Sequence, residues 1–322
     1  MKKIKYTCLG CDANIDKNFT KENYYYGFEI GISKIYKCPY CDLGQANLLP
    51  SEDTLENYYK ITATEDVVYG LGDDEIKKWK SPKEEDNIIN FIISKLNLDK
   101  NANLNFLDVG AGNGLTLVHV NYYTKWNTVG LEPNKSKVDT LLKLDINVIS
   151  NNFESYDFIN QKFDIIYISQ VLEHVHSPQN TLNKIYKLLN PGGVLWIDVP
   201  NCNEAYFRTR LSDSSPHLTF HTKKSLKNIT EKVGFKTLSI GTFGEEIKKA
   251  ISAKDYIHRY FKYHIGWVLK WSRLLKLYSK RKVISHQKVR IIESDMVGIF
   301  EQPVIYEKQF KNQNLYLLAM KI

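Results

Sequence analysis

The stretch Asp108-Val109-Gly110-Ala111-Gly112-Asn113-Gly114 closes an apolar run and opens a helical one. Glycines at such a turn permit positive φ and let a ligand approach the backbone. The helix that follows offers its first amides to a negative group. Leu115 stands where a dinucleotide fingerprint wants Gly or Ala. Asp108, just ahead of the loop, would repel a pyrophosphate and attract an ammonium. Glu132 ends Val129-Gly130-Leu131-Glu132-Pro133, 24 residues after Asp108. That spacing suits a carboxylate accepting both hydroxyls of a ribose; the plain alternative is a solvated charge at a strand end.

A second chemical pattern lies near the N-terminus. Cys8-Leu9-Gly10-Cys11 and Cys38-Pro39-Tyr40-Cys41 are two Cys-x-x-Cys pairs separated by 26 residues. Each tight turn aims two sulfurs at one point, and two such knuckles complete a tetrahedron. The set predicts a closed structural zinc site, with four sulfurs and no open position. Unligated thiols are the bland alternative, and disulfides suit a reducing compartment less well. The metal would hold together roughly 45 residues, too few to bury a good core unaided. Cys202 stands apart and reads as a small packed residue.

These groups need elements to position them. Between the cysteine pairs, 24–30 and 33–36 read as two short strands. Residues 51–100 read as helical. Ser51 begins one helical stretch, and Ser81-Pro82 supplies an N-cap and a proline at N1 ahead of Ile88, Ile89, Phe91, Ile92 and Leu96. From residue 104, strands are predicted at 104–109, 128–131, 147–149, 163–168, 194–199 and 237–240, with a last one at 314–320. Helices fit at 113–123, 134–143, 153–160, 178–189 and 223–233. The alternation implies a doubly wound, mainly parallel sheet covered on both faces. Ligands of such sheets bind beyond the carboxyl ends of the strands, at the switch point.

The residues after the strands carry a family resemblance. Asp-Val-Gly-Ala-Gly-Asn-Gly at 108–114, followed by Gly-Leu-Glu-Pro at 130–133, resembles the class I S-adenosylmethionine-dependent methyltransferases. Ser150-Asn151-Asn152-Phe153-Glu154 is similar to the segment after strand three, with Asn152 where the family often has Asp. Gln170-Val171-Leu172-Glu173-His174-Val175-His176-Ser177-Pro178 resembles the Leu-Glu-His-Val-x-x-Pro signature. Leu189-Asn190-Pro191-Gly192-Gly193 is like the loop before strand five. The resemblance covers about residues 85–243 plus the final strand. It implies a seven-stranded Rossmann-like sheet and an S-adenosylmethionine site built from Asp108, Gly110, Ala111, Gly112, Gly114, Glu132, Pro133, Asn152, Phe153, Gln170 and Val171. The Asn152 carbonyl would accept from the adenine amine. His174 recurs in the family whatever the substrate, which implies a structural role for it.

The order of a four-cysteine module, Leu55-x-x-Tyr58-Tyr59 and then this core resembles bacterial methyltransferases of surface-glycan and natural-product sugars. It implies methyl transfer to the hydroxyl of a nucleotide- or lipid-linked sugar, as in capsule or polysaccharide biosynthesis. Sugar C-methyl transfer is the near alternative. Tyr58 and Tyr59 would close over the cofactor or simply pack a helix. A hydroxyl must lose a proton as it is methylated. His217 and then His221, ahead of a helix start at Thr222, are the expected bases on the rim of the site. A histidine bonded to backbone to fix the loop is the bland reading of each.

The expected organisation is a zinc module at 1–50, a helical linker or lid at 51–100, a core at 101–245 plus 311–322, and a basic helical insertion at 246–310. Residues 248–290 hold 13 Lys/Arg and one acid, a net charge of +12. The remaining chain is net −4. Nucleic-acid binding throughout is thereby excluded. An RNA methyltransferase using the zinc module and basic helix is the rival function, although the base-modifying motifs it would need are missing. A non-enzymatic binding scaffold that retains the cofactor fold is a third. Ile257, Phe261, His264, Val268, Trp271, Leu275 and Tyr278 recur every three or four residues among lysines and arginines. Residues 254–282 could therefore lie on an anionic membrane, grip a phosphorylated substrate, or pack on the body or a partner subunit. No apolar run reaches the eighteen residues a membrane span needs. A cytoplasmic protein, peripheral at the inner membrane if the basic helix docks there, is expected.

Overall fold

Short apolar runs rich in Ile, Val and Phe alternate with helical segments from residue 105 onward, and they assemble as that alternation requires. The computed structural model describes residues 6–15, 22–25, 32–46, 49–51, 53–55, 80, 82, 86–202, 217–246, 305–306 and 312–322. The expectations for Tyr58, Tyr59 and the basic segment 254–282 lie outside those residues.

In chain order the small N-terminal strands are β1 (Tyr6–Thr7), β2 (Asn14–Ile15), β3 (Glu22–Tyr25), β4 (Ile32–Lys37) and β5 (Gly44–Ala46). Helix α1 (Asn87–Leu96) precedes β6 (Asn105–Val109), α2 (Leu115–Tyr123), β7 (Asn127–Leu131), α3 (Lys135–Lys143) and β8 (Val148–Ile149). Then come β9 (Phe163–Ser169), α4 (Pro178–Leu188), β10 (Leu189–Pro200), β11 (Thr219–Phe220), α5 (Lys223–Val233), β12 (Phe235–Glu246), β13 (Ile305–Tyr306) and β14 (Asn312–Lys321).

The main sheet runs β13-β12-β14-β10-β9-β6-β7-β8. Strands β10, β9, β6, β7 and β8 pair in parallel, and β14 inserts antiparallel between β10 and β12. This is a doubly wound, Rossmann-like sheet of seven strands, as expected, with the two-residue β13 added at one edge. Apolar clusters cover both faces. One gathers Leu107, Ile166, Ile168, Leu182, Leu195 and Leu317. The other centres on Phe106, Tyr167, Trp196 and Tyr316 under α1. Rings of Tyr167, Trp196 and Tyr316 stack nearly parallel across three strands, at 6.3 and 4.9 Å.

Two local expectations change. Helix α1 is capped by Asp86, not Ser81. One Asp86 oxygen accepts from both Ile88 N (2.8 Å) and Ile89 N (2.9 Å), which satisfies two of the amides a helix start leaves free. Residues 153–160 form turns rather than a helix. The Asn152 carboxamide accepts from Glu154 N at 2.9 Å, and Lys184 Nζ gathers the carbonyls of Phe153, Glu154 and Tyr156 at 2.5, 3.3 and 2.6 Å. Side-chain bonds of this kind compete with the helical ladder. By contrast, α5 starts where expected: Thr222 and Ser225 form a reciprocal capping box.

Candidate functional site

From β6 the chain moves outward to β7 and β8, then returns to β9 and continues to β10 on the other side. The carboxyl ends of β6 and β9 therefore border the switch-point crevice. The glycine loop leaves β6 there. Gly110 (φ 73°) and Ala111 both donate to Leu131 O, at 2.8 and 3.1 Å, so the loop is pinned to the end of β7. Glu132 is 5% exposed. Its Oε2 accepts from Gly112 N at 2.8 Å and its Oε1 from Asn134 N at 3.0 Å. The carboxylate thus braces the loop and the entry to α3 while each oxygen keeps further acceptor capacity. Pro133 follows it, half-buried.

The loop's glycines answer different demands. A Cβ on Gly112 would find nothing closer than Gly110 O at 3.9 Å, so the space above it is open. A Cβ on Gly110 would meet Val171 Cγ2 at 2.4 Å, and one on Gly114 would meet Leu141 Cδ2 at 2.3 Å. Gly114 is thus a packing glycine at the N-cap of α2, and Gly110 admits the β9 loop.

Electrostatics single out the floor of the crevice. Asp108 is 3% exposed. Burial, then the charges of Glu132 and Asp198, push its carboxyl well above the usual range. Among the described residues no cationic side chain offsets it. A buried carboxylate cluster of this kind calls for a cationic ligand group. Asp198, at the end of β10, was not singled out in the sequence. It accepts from Ser169 Oγ (2.9 Å), Gln170 Nε2 (2.9 Å) and Trp196 Nε1 (3.0 Å). Burial raises it to about 6, with those three bonds opposing. It stands directly across from Ser169 in the β9–β10 register, a pairing that no local sequence pattern displays.

Gln170 is in left-handed backbone (φ 53°), turning the chain off β9 so that Val171 reaches Gly110. Phe153 is buried against Phe158 and beneath Lys184 Nζ, 4.9 Å from its ring centroid. Asn152 is half-buried, and its carbonyl already accepts from Glu154 N.

The two expected bases differ sharply. His221 is 0% exposed and His217 6%, so neither lies on the rim where both were expected. Its Nε2 is 3.1 Å from Thr219 Oγ1, its Nδ1 has no partner, and burial lowers it to about 3. His217, 6% exposed, stacks edge-on against His174 with ring centroids 4.7 Å apart. Leu218 N and Thr219 N both donate to Glu173 O, at 2.7 and 3.1 Å, which fastens the histidine loop to the segment after β9. Cys202 is buried, and its amide donates to His221 O at 3.0 Å.

Cys8, Cys11, Cys38 and Cys41 come together, each offering a sulfur within 4.8 Å of the others. Cys8 and Cys41 sulfurs are 3.5 Å apart, Cys11 and Cys38 3.6 Å, and none is in a disulfide. The two turns match. Cys8 N bonds Ala13 O and Asp12 N bonds Cys8 O, while Cys38 N bonds Leu43 O and Asp42 N bonds Cys38 O. Asp12 and Asp42 both take positive φ, at 60° and 65°. The Cys41 contact draws Cys8 down to about 5, and burial pushes Cys11 up to about 11. Four converging sulfurs of this kind could hold a metal ion. The module is stitched to the core: β11 pairs with β5, matching Thr219 to Gln45 and Phe220 to Gly44.

Residues 83–240 match a family described as a methyltransferase domain. The sterol 24-C-methyltransferase of Clavispora lusitaniae is 30% identical over 115 residues, covering 33% of this chain and 30% of that protein. The ubiquinone biosynthesis O-methyltransferase of Rickettsia bellii is 26% identical over 121 residues, covering 35% of this chain and 50% of that protein. The chain thus spans half or less of the length of these relatives. A solved phosphoethanolamine N-methyltransferase 2 of Haemonchus contortus, in complex with S-adenosyl-L-methionine, is 15% identical with a TM-score of 0.48, covering 86% of this chain and 61% of that one.

Proposed function

We propose that this chain, whose residues 83–240 match a methyltransferase domain, is a class I S-adenosylmethionine-dependent enzyme that methylates a hydroxyl of a sugar-containing small molecule or lipid-linked sugar. The observation that carries the cofactor assignment is the buried Asp108, offset by no cation among the described residues, at the start of a glycine loop braced by Glu132. S-adenosylmethionine, when bound, supplies an electrophilic methyl whose carbon–sulfur bonding pair stays on sulfur as the acceptor oxygen's lone pair forms the new bond. Asp108 is placed to take an ammonium, and Glu132 still has lone pairs for ribose hydroxyls. The open space over Gly112 lets a ligand reach the backbone. Phe153 and Val171 supply apolar walls, with Asn152 and Gln170 as polar neighbours. Orientation then accounts for much of the rate.

On the acceptor side, His217 and not His221 is the group we assign to the hydroxyl. His221 is fully buried, and burial holds it neutral. The four cysteines fit a structural zinc ion that would hold β4 and β5, and through β11 the histidine loop. The sugar acceptor is supported by the order of cysteine module and core, which resembles sugar methyltransferases. The test is full-length protein with radiolabelled S-adenosylmethionine and a panel of nucleotide sugars, lipid-linked sugars, phenolic acceptors, sterols and RNA. Label in a sugar-containing product, stable as an ether, is expected. Label only in phenol, sterol or RNA overturns the sugar assignment, and label on sugar carbon replaces O- by C-transfer. No helix among the described residues is long and apolar enough to cross a membrane. The +12 charge over 248–290 supports contact with anionic lipid surfaces.

A further inference from the structure

Glu173 raises a difficulty that the cofactor site does not resolve. It is 1% exposed, and neither carboxylate oxygen has a hydrogen-bond partner. An unpaired buried carboxylate is costly, and protonating it still leaves a buried polar group without a partner. Two imidazoles converge on it. His174 Nε2 is 3.7 Å from Glu173 Oε1. One ligand atom from each of Glu173, His174 and His217 lies within 4.8 Å of the other two. The arrangement is fixed by backbone: Glu173 and His174 are consecutive, and the bonds from Leu218 N and Thr219 N to Glu173 O bring His217 alongside.

We infer that Glu173, His174 and His217 form a second metal site, for a divalent first-row transition cation. Two imidazole nitrogens and one carboxylate suit such ions. Ligands of one tetrahedral ion lie about 3.4 Å apart, so the 3.7 Å pair is already near coordinating distance, and every pair of the three lies within 4.8 Å. Three protein ligands leave a position open, unlike the closed four-sulfur set. The site shares the segment after β9 with Val171, whose side chain stands against Gly110 of the glycine loop. Its role, which rests on the methyl-transfer reading, is to bind the acceptor oxygen and lower its pKa, releasing the proton to water as the hydroxyl coordinates. His217 then acts as a ligand rather than as a free base. Ion binding itself does not depend on that reading.

The test titrates chelator-treated full-length protein with Co²⁺ in the absence of S-adenosylmethionine and follows visible absorption. Two equivalents are expected. One shows the intense thiolate-to-cobalt band of the cysteine set; the other shows only weak d–d absorption from oxygen and nitrogen ligands. Glu173→Gln, His217→Asn and His174→Asn should each weaken the second by more than about 10-fold, since even the loss of an outer-shell partner costs that much. Each should leave the thiolate band intact, which also reports that the variant is folded. Cys38→Ser should do the converse. A single thiolate-type equivalent in the wild type overturns the site, as does a second equivalent that survives all three substitutions. Methyl transfer is assayed separately with and without added Mn²⁺ or Zn²⁺. Binding without any effect on turnover leaves the site standing and refutes only its catalytic role.

Discussion

Glu132 serves two masters, bracing Gly112 and Asn134 while standing where a ribose would lie. Glu132→Gln keeps the shape but replaces one acceptor oxygen by a donor. Charged hydrogen bonds contribute about 1.5–3 kcal/mol, so S-adenosylmethionine should bind about 10- to 100-fold more weakly by calorimetry. Unchanged affinity would place the cofactor elsewhere. His217→Ala should cut kcat by roughly 10²–10⁴-fold at unchanged cofactor Kd, whether the imidazole takes the proton or holds an ion. His221→Ala should act instead through packing, lowering Tm with its larger effect on stability. Asp198 predicts a pH dependence. Its ordinary pKa of 3.8 rises to about 6 on folding. The folded state therefore binds more protons between those values, so the contribution is full below about pH 4 and is lost as pH rises through 6. Relative to Asp198→Asn, the wild type should lose stability over that window, by up to about 3 kcal/mol. Parallel Tm curves from pH 4 to 7 would contradict this.

At the scale of elements, the two-residue strand β11 matters more than its length suggests. It is the fourth strand of the cysteine module's sheet and the segment between His217 and His221. Ala46 N also donates to Leu218 O at 2.9 Å, and a Cβ on Gly44 would stand 2.9 Å from Phe220 Cβ. Metal loss should therefore be felt at the acceptor loop. Cys38→Ser should remove the zinc of the cysteine set, measured by elemental analysis, lower Tm, and reduce kcat/KM for the acceptor more than it weakens cofactor binding. Equal effects on both would mean that β11 does not transmit the module's state. The helix that opens at Gly114 gives a second test. Gly114→Ala combines positive φ (81°) with the Leu141 clash, whereas Gly112→Ala has positive φ (57°) in open space. Urea midpoints should show the first costing about 2–4 kcal/mol and the second about 1–2.

For the whole molecule the deciding feature is charge placement. A body of net −4 carries +12 over residues 248–290. If that stretch meets anionic lipid, full-length protein should co-sediment with phosphatidylglycerol vesicles at low salt and be released as salt rises. Replacing Lys270, Arg273 and Lys276 by glutamate should abolish this while sparing cofactor affinity. Equal binding to neutral phosphatidylcholine vesicles would argue against an electrostatic contact.

The sequence by itself determined the sheet, the glycine loop and the cysteine pairs, because each rests on local periodicity or spacing. Strands β6 to β10 fall within a few residues of their predicted positions, and the capping box of α5 is written in Thr222 and Ser225. Turn chemistry overrode periodicity at 153–160, where Lys184 from a distant helix claims the carbonyls. Tertiary structure alone decided what lies across space. Gly110 is small for Val171, Glu132 reaches back to Gly112, and Asp198 closes the acidic floor. His217 and His221 read alike in a polar loop and are both buried, but His217 packs on His174 while His221 faces Thr219. Glu173 and His217, 44 positions apart, meet because two backbone amides bind one carbonyl. Pairings of this kind depend on strand order and register, which no local pattern encodes.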